Sequence, residues 1–313
     1  MKLIKSSVQT GIKRATLWVF LLLLLYLGSI QSSSAQEIQG AELYHNNISQ
    51  DSVELVLRKF IACDQSVSDE AEWVSLHDPE LAQLFAQVKL EKQITKKVSG
   101  EDSLECTGEP ACIQIVTYST IMDLPMKSDG YDMSWGWAQV DREALNMEMK
   151  EQGINLLTHI ADPWTASKNA APELNIAALQ VCGSSELWLG ALDADQQETQ
   201  VSLKMPSSTI AKKDRMYYHS PQNKYERPNS TGSCLTSVGP FQALDFAVGF
   251  DERNLFGTGK TIFNKKEHLL SIPEVLPGKY VVGLTLSDHS DGNTLSEHQA
   301  FIIIDIKNET SYK

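Results

Sequence analysis

The sequence predicts an exported chain in two parts: an α+β region over residues 36–163, a linker over 164–173, and an all-β sandwich over 174–313. Three observations lead there. A basic, then apolar N-terminus ends in small residues. The first half places apolar residues at helical spacing beside two β-branched runs. The remainder alternates apolar and polar residues with a period of two.

Lys2, Lys5, Lys13 and Arg14 precede the run "ATLWVFLLLLLYLGSI", and small residues stand at Ser33 and Ala35. This is the pattern of a secretory signal (residues 1–35) cleaved after Ala35; the competing reading is a retained anchor. The run falls short of the roughly 20 apolar residues that cross a bilayer, so no stable membrane insertion is expected after cleavage. The expected location is the periplasm or beyond the cell. Removing residues 1–35, which hold four of the 27 Lys and Arg and none of the 40 Asp and Glu, takes the formal charge from −13 to −17. Such a chain is repelled by phosphate backbones, which excludes nucleic acid as an expected partner.

Helical signals fill the first half. In "DSVELVLRKFIACD", Asp51 is a cap with Glu54 three residues on, and Val53, Val56, Leu57, Phe60 and Ile61 recur at helical spacing. In "HDPELAQLFAQVKLEKQITKK", Asp78 caps, Pro79 opens, Leu81, Leu84, Phe85 and Val88 share a face, and Lys96 and Lys97 suit a C-terminus. A third helix is expected over "DREALNMEMKEQG", from Asp141 to Gly153. "CIQIVTYSTIM" and "INLLTHI" read as strands.

Past the small, polar stretch "ADPWTASKNAAPEL" the period becomes two. "ETQVSLKM" reads as a half-buried strand, paired with "ELWLGAL" as a hairpin across "DADQQ". "QALDFAVGF" aligns Leu244, Phe246, Val248 and Phe250 on one side. "GKYVVGLTLS" aligns Tyr280, Val282, Leu284 and Leu286, and "HQAFIIIDI" is apolar on both faces, as a central strand would be. The ending "LPGKYVVGLTLS…HQAFIIIDI" resembles the closing strands of immunoglobulin-like extracellular modules. That resemblance implies an immunoglobulin-like sandwich and no active site.

Five cysteines in an exported chain imply disulfides, with at least one free thiol or one bond to another chain left over. Cys106 and Cys112 flank the turn-forming "TGEPA" and are expected to pair; Cys182 and Cys234 lie together in the second part; Cys63 remains. Cys182, at the end of the apolar run in "NIAALQVCGSS", has a second reading as a nucleophile with His159 as its base. A histidine and a cysteine each following an apolar strand resemble the caspase-like cysteine peptidases, which would imply a cysteine hydrolase. His159 departs from that pattern in being followed by Ile160 rather than glycine.

No motif asks for a cofactor, and none is expected. "DHSDGN" offers Asp288, Asp291 and Asn293 to a calcium ion, but it lacks the D-x-D-x-D-G rhythm and reads first as a turn. In "SDGYDMSWGWAQVD", Tyr131, Trp135 and Trp137 crowd among carboxylates, and paired indoles there could stack on a sugar or hold a cation. The alternative is that both indoles are core. The basic-aromatic stretch with Tyr217, Tyr218 and Tyr225 reads as a binding loop. The expected function is non-catalytic binding or assembly, with a protein or glycan as ligand. A cysteine hydrolase and a carbohydrate-binding module are the alternatives.

Overall fold

The computed structural model describes residues 38–79, 83–99, 112–137, 144–148, 152–162, 164, 168–176, 179–182, 185–210 and 242–307, and no α-helix occurs among them. The first half supplies β1 (Ile38–Asn47), β2 (Ser52–Ala62), β3 (Glu72–Asp78), β4 (Gln83–Ser99), β5 (Cys112–Asp123), β6 (Tyr131–Trp137) and β7 (Gln152–Ile160). Short strands follow: β8 (Glu173–Asn175), β9 (Gln180–Cys182), β10 (Ser185–Trp188), β11 (Gly190–Leu192), β12 (Glu198–Leu203), β13 (Ser207–Ile210) and β14 (Gln242–Ala243). The chain closes with β15 (Ile262–Asn264), β16 (Leu269–Ile272) and the long pair β17 (Gly278–Ser290) and β18 (Asn293–Lys307).

Most of these strands join one antiparallel sheet in the order β12-β17-β18-β1-β2-β5-β4-β3-β6-β7-β13-β14, with β9 added parallel to the end of β18. Two small sheets, β10-β16-β15 and β8-β11, stand apart from it. The first described strand, β1, pairs with the last, β18, and β7 pairs with β13. Residues Gln36–Lys313 cluster as one compact unit.

The long strand β4 turns this sheet over on itself. Its first half, Gln83–Leu90, pairs with β3, while Glu91–Ser99 pairs with β5. Two bulges in β4, at Phe85 opposite Leu76/His77 and at Gln93 between Lys92 and Ile94, supply the local bend and twist such a corner needs. The turn brings β7 back against β18. There the Leu157 N–H donates to Gln299 Oε1 (3.0 Å) and Thr158 Oγ1 donates to the Glu297 carbonyl (3.0 Å). The space enclosed is filled by Leu43, Leu55, Leu57, Leu76, Leu90, Tyr118, Met133 and Leu156, all buried.

The expected α+β N-terminal region is therefore replaced by strands. "DSVELVLRKFIACD" is β2, and most of "HDPELAQLFAQVKLEKQITKK" is β4. The cause is visible in the burial of β2, where every residue from Leu55 to Ile61 is buried. A strand covered on both faces loses its alternation, and its apolar residues then match a helical template by accident. Of the third expected helix, Ala144 and Met147 instead form bridges to Lys279 and Phe246, and Gly153 lies within β7. The strands expected over "CIQIVTYSTIM" and "INLLTHI" are β5 and β7.

In the second half, β12 pairs with β17 rather than with "ELWLGAL", which divides into β10 and β11 in the two small sheets. "QALDFAVGF" is a strand only at Gln242–Ala243, and Val248 sits fully exposed on a turn. The β17–β18 hairpin turns at Asp291-Gly292, where φ is +51° and +78°, as a type I′ turn requires. Gly130, at φ +61°, precedes β6, and a Cβ there would lie 2.0 Å from the Ile160 carbonyl oxygen.

Candidate binding surface

The two indoles of β6 share a face, with ring centroids 5.8 Å apart and planes 23° from parallel. Trp135 is only 2% exposed, and its Nε1–H donates to Glu72 Oε2 at 3.2 Å. Glu72 also accepts from Lys59 Nζ at 2.5 Å. That ammonium lies 5.0 Å from the Tyr118 ring centroid and 5.6 Å from that of Trp137. An aromatic and carboxylate enclosure for a cation thus exists, and the chain's own Lys59 occupies it. Burial, with Glu72 next, pushes the Tyr118 phenol well up, so it stays neutral. Tyr131 is buried too, its hydroxyl donating to the Pro125 carbonyl (2.9 Å) and its ring 5.0 Å from that of Phe85.

Strand register assembles a second polar group. Ser75 faces Ser134, His77 faces Asp132, and Asp132 faces His159 across β3, β6 and β7. Ser134 Oγ and His77 Nε2 are 2.9 Å apart, and His159 Nδ1 is 2.8 Å from Asp132 Oδ1. A serine hydroxyl on an imidazole is a nucleophile–base pair in type. Here Ser134 is 3% and His77 4% exposed, which closes the pair to a substrate. Burial lowers the His77 pKa, partly offset by Asp132. His159, expected to serve Cys182, is committed to Asp132 instead. The backbone of Cys182 pairs with Lys307, while the neighbour of His159, Thr158, bonds Glu297 on the same strand. About ten residues of β18, roughly 30 Å, separate those two points.

Cys112, expected to pair with Cys106, is bonded to Cys63, with Cα atoms 5.4 Å apart. The ladder imposes this: Ala62 faces Ile113, and the Cys63 N–H donates to the Cys112 carbonyl. Cys106, Cys234, Tyr217, Tyr218 and Tyr225 lie outside the described residues, as does the Cys182 side chain. Of the calcium candidates, Asp288 is fully buried and engaged. Its Oδ1 accepts from the Ser296 N–H (2.6 Å) and Oγ (2.7 Å), and its Oδ2 accepts from Asn169 Nδ2 (2.7 Å). Asp291 and Asn293 belong to the hairpin turn, and no group of three possible metal ligands occurs among the described residues.

A third network lies on the outer face of the sheet, under residues 169–176. Glu42 and Arg58 form a buried ion pair between β1 and β2; Arg58 also reaches Glu173 (3.1 Å), which accepts from the Tyr44 hydroxyl (3.0 Å). The Leu174 N–H donates to Glu42 Oε2 (2.9 Å), and His298 Nε2 lies 3.8 Å away. Burial works to raise the Glu42 pKa, but Arg58, with His298 and Leu174, outweighs it and holds the carboxyl below its usual range. Burial, with Glu42 and Glu173, pushes the Tyr44 phenol well up.

Beside this network a cleft of about 330 Å³ opens to solvent. Its lining includes Arg58, Lys96 and Lys97 on one side and Asn175, Ile176 and Leu192 on the other. Lys96 and Lys97 are exposed and form no ion pair among the described residues. The sequence reading passed over this surface because both lysines look like the end of a helix. The usable signal was the charge of Glu42, Arg58 and Lys59 inside otherwise apolar runs. Compared with known proteins, the chain matches no protein-family model, and no curated protein or solved structure is significantly similar to it.

Proposed function

We propose that this chain is an exported, non-catalytic binding or assembly protein of the cell envelope or extracellular space, built as a β-sandwich. The sandwich reading follows from the sheet folding over at β4, and the immunoglobulin-like likeness rests on the β17–β18 pair. Export is supported by the N-terminal signal pattern and by the Cys63–Cys112 bond, which persists in oxidising compartments. Among the described residues no helix is long and apolar enough to cross a membrane.

One observation carries the reading of function. The nucleophile-type residues are closed off or separated, while the basic cleft beside β4 stays open in an acidic chain. Carbohydrate stacking on the indole pair is not favoured, since Trp135 is buried and Lys59 fills the enclosure.

A fluorophosphonate and iodoacetamide labelling experiment, read by peptide mass mapping, tests this. Ser134 is expected to stay unlabelled and Cys182 to be bonded or slow to react. Stoichiometric labelling of either, with loss of an ester- or peptide-cleaving activity, would overturn the binding role in favour of a hydrolase.

A further inference from the structure

β4 changes partners halfway along. From Glu91 to Ser99 it pairs with β5 on one edge, and among the described residues no strand pairs with its other edge. From Glu91 to Lys97 every residue is exposed except Lys92, which is half-buried and bonds Asp69 at 2.7 Å. An open edge is a template for another strand, and lysines on it reject neutral, aggregation-prone partners while admitting an acidic one. The cleft lies over the sheet face of β2, β5 and β4, and Lys96 and Val98 of β4 line its end nearest this edge. Arg58 is held in place there by Glu42 and Glu173, and the Glu173 carboxylate is itself taken up by Arg58 and Tyr44.

We propose that the open edge of β4 and its cleft dock an extended acidic segment of a partner protein, which adds to the sheet as a strand. This rests on the binding role argued above and names its ligand class. Main-chain bonds to Ile94–Ser99 supply the alignment. One inward side chain, a carboxylate, meets Lys96. The next inward position, two residues along and roughly 7 Å away, meets the apolar lining of Val98, Ile176 and Leu192. Acid and apolar residues alternating on one face are the expected recognition pattern. The chain carries −13 overall, so the attraction is local and weakens as salt rises.

The test is fluorescence polarisation of a short fluorescein-labelled peptide of Glu-Thr-Val-Thr repeats against the purified full chain. Two comparison peptides replace Glu with Lys, or Thr with Pro. Saturable binding of the Glu peptide alone is expected, weakened roughly tenfold or more in K96E/K97E and by a similar factor with the Pro peptide. Both lysines are exposed, so the variant's melting temperature should match that of the parent; Lys97→Gln is the gentler substitute if it does not. Equal binding of the Pro peptide overturns strand addition. No saturable binding, or binding indifferent to K96E/K97E, overturns the site. Self-association of the chain that K96E/K97E abolishes assigns the edge to a second copy and overturns the partner segment. None of these outcomes depends on Ser134 or Cys182, whose labelling tests the wider binding role separately.

Discussion

Lys59 Nζ sits 2.5 Å from Glu72 Oε1, and the two are unequally buried: the lysine side chain is 2% exposed and the glutamate 19%. The asymmetry matters because a charge left alone costs in proportion to its distance from water. The Tyr118 and Trp137 rings offset part of the desolvation of the ammonium, but neither replaces an anion.

Glu72→Gln therefore strands a buried cation, and urea unfolding should show a loss of about 3–5 kcal/mol. Lys59→Met leaves a carboxylate that still has the Trp135 N–H and a path to solvent. Its expected cost is smaller, about 1–2 kcal/mol. Equal costs for the two variants would sink the account of Lys59 as the more deeply committed partner.

Buried His45 makes the fold less stable in acid. Burial, with His298 and His159 adding, lowers its pKa from the ordinary 6.5 to about 3. The imidazole is thus neutral in the folded chain, whereas the unfolded chain takes up a proton near pH 6.5. Its contribution to stability is complete above that value and is lost as pH falls toward 3, at up to about 1.4 kcal/mol per pH unit. His77 acts with the same sign, and Glu42, whose pKa is lowered, adds its loss only at lower pH, below the usual carboxylate value. Chemical denaturation between pH 7 and pH 5 should show the steepness falling by about one proton in His45→Gln. An unchanged slope would remove His45 from the explanation.

The Cys63–Cys112 bond closes a loop with a sequence separation of 49 residues. The chain-entropy argument gives it about 4 kcal/mol of stabilisation. Non-reducing peptide mapping should recover these two cysteines joined, and the double variant C63S/C112S should lose stability of that order in urea. A Cys106–Cys112 peptide in the map would contradict the ladder register that brings the pair together.

Half-buried β12 shows its period of two; β17, buried on both faces from Tyr280 to Asp288, was legible from its apolar residues between turn signals, β5 and β7 from their β-branched runs, and the Asp291-Gly292 turn from its dipeptide. The first ladder, β1–β2–β5, was not legible as sheet in β2, because residues 169–176 and the folded-over half of the sheet cover its two faces. Lys59 could be seen as a charge in an apolar run, but its aromatic partners come from β5 and β6, and no local pattern links them.

By itself the sequence determined the acidity of the chain, the basic-then-apolar pattern at the N-terminus, and the turns that need glycine or aspartate. Those depend on composition or on neighbouring residues. The tertiary structure alone decided that Cys63 meets Cys112, that His159 meets Asp132, and that Lys96 and Lys97 line a cleft with Arg58. Each follows from strand order and register, and these are set by which distant runs bury one another rather than by spacing along the chain.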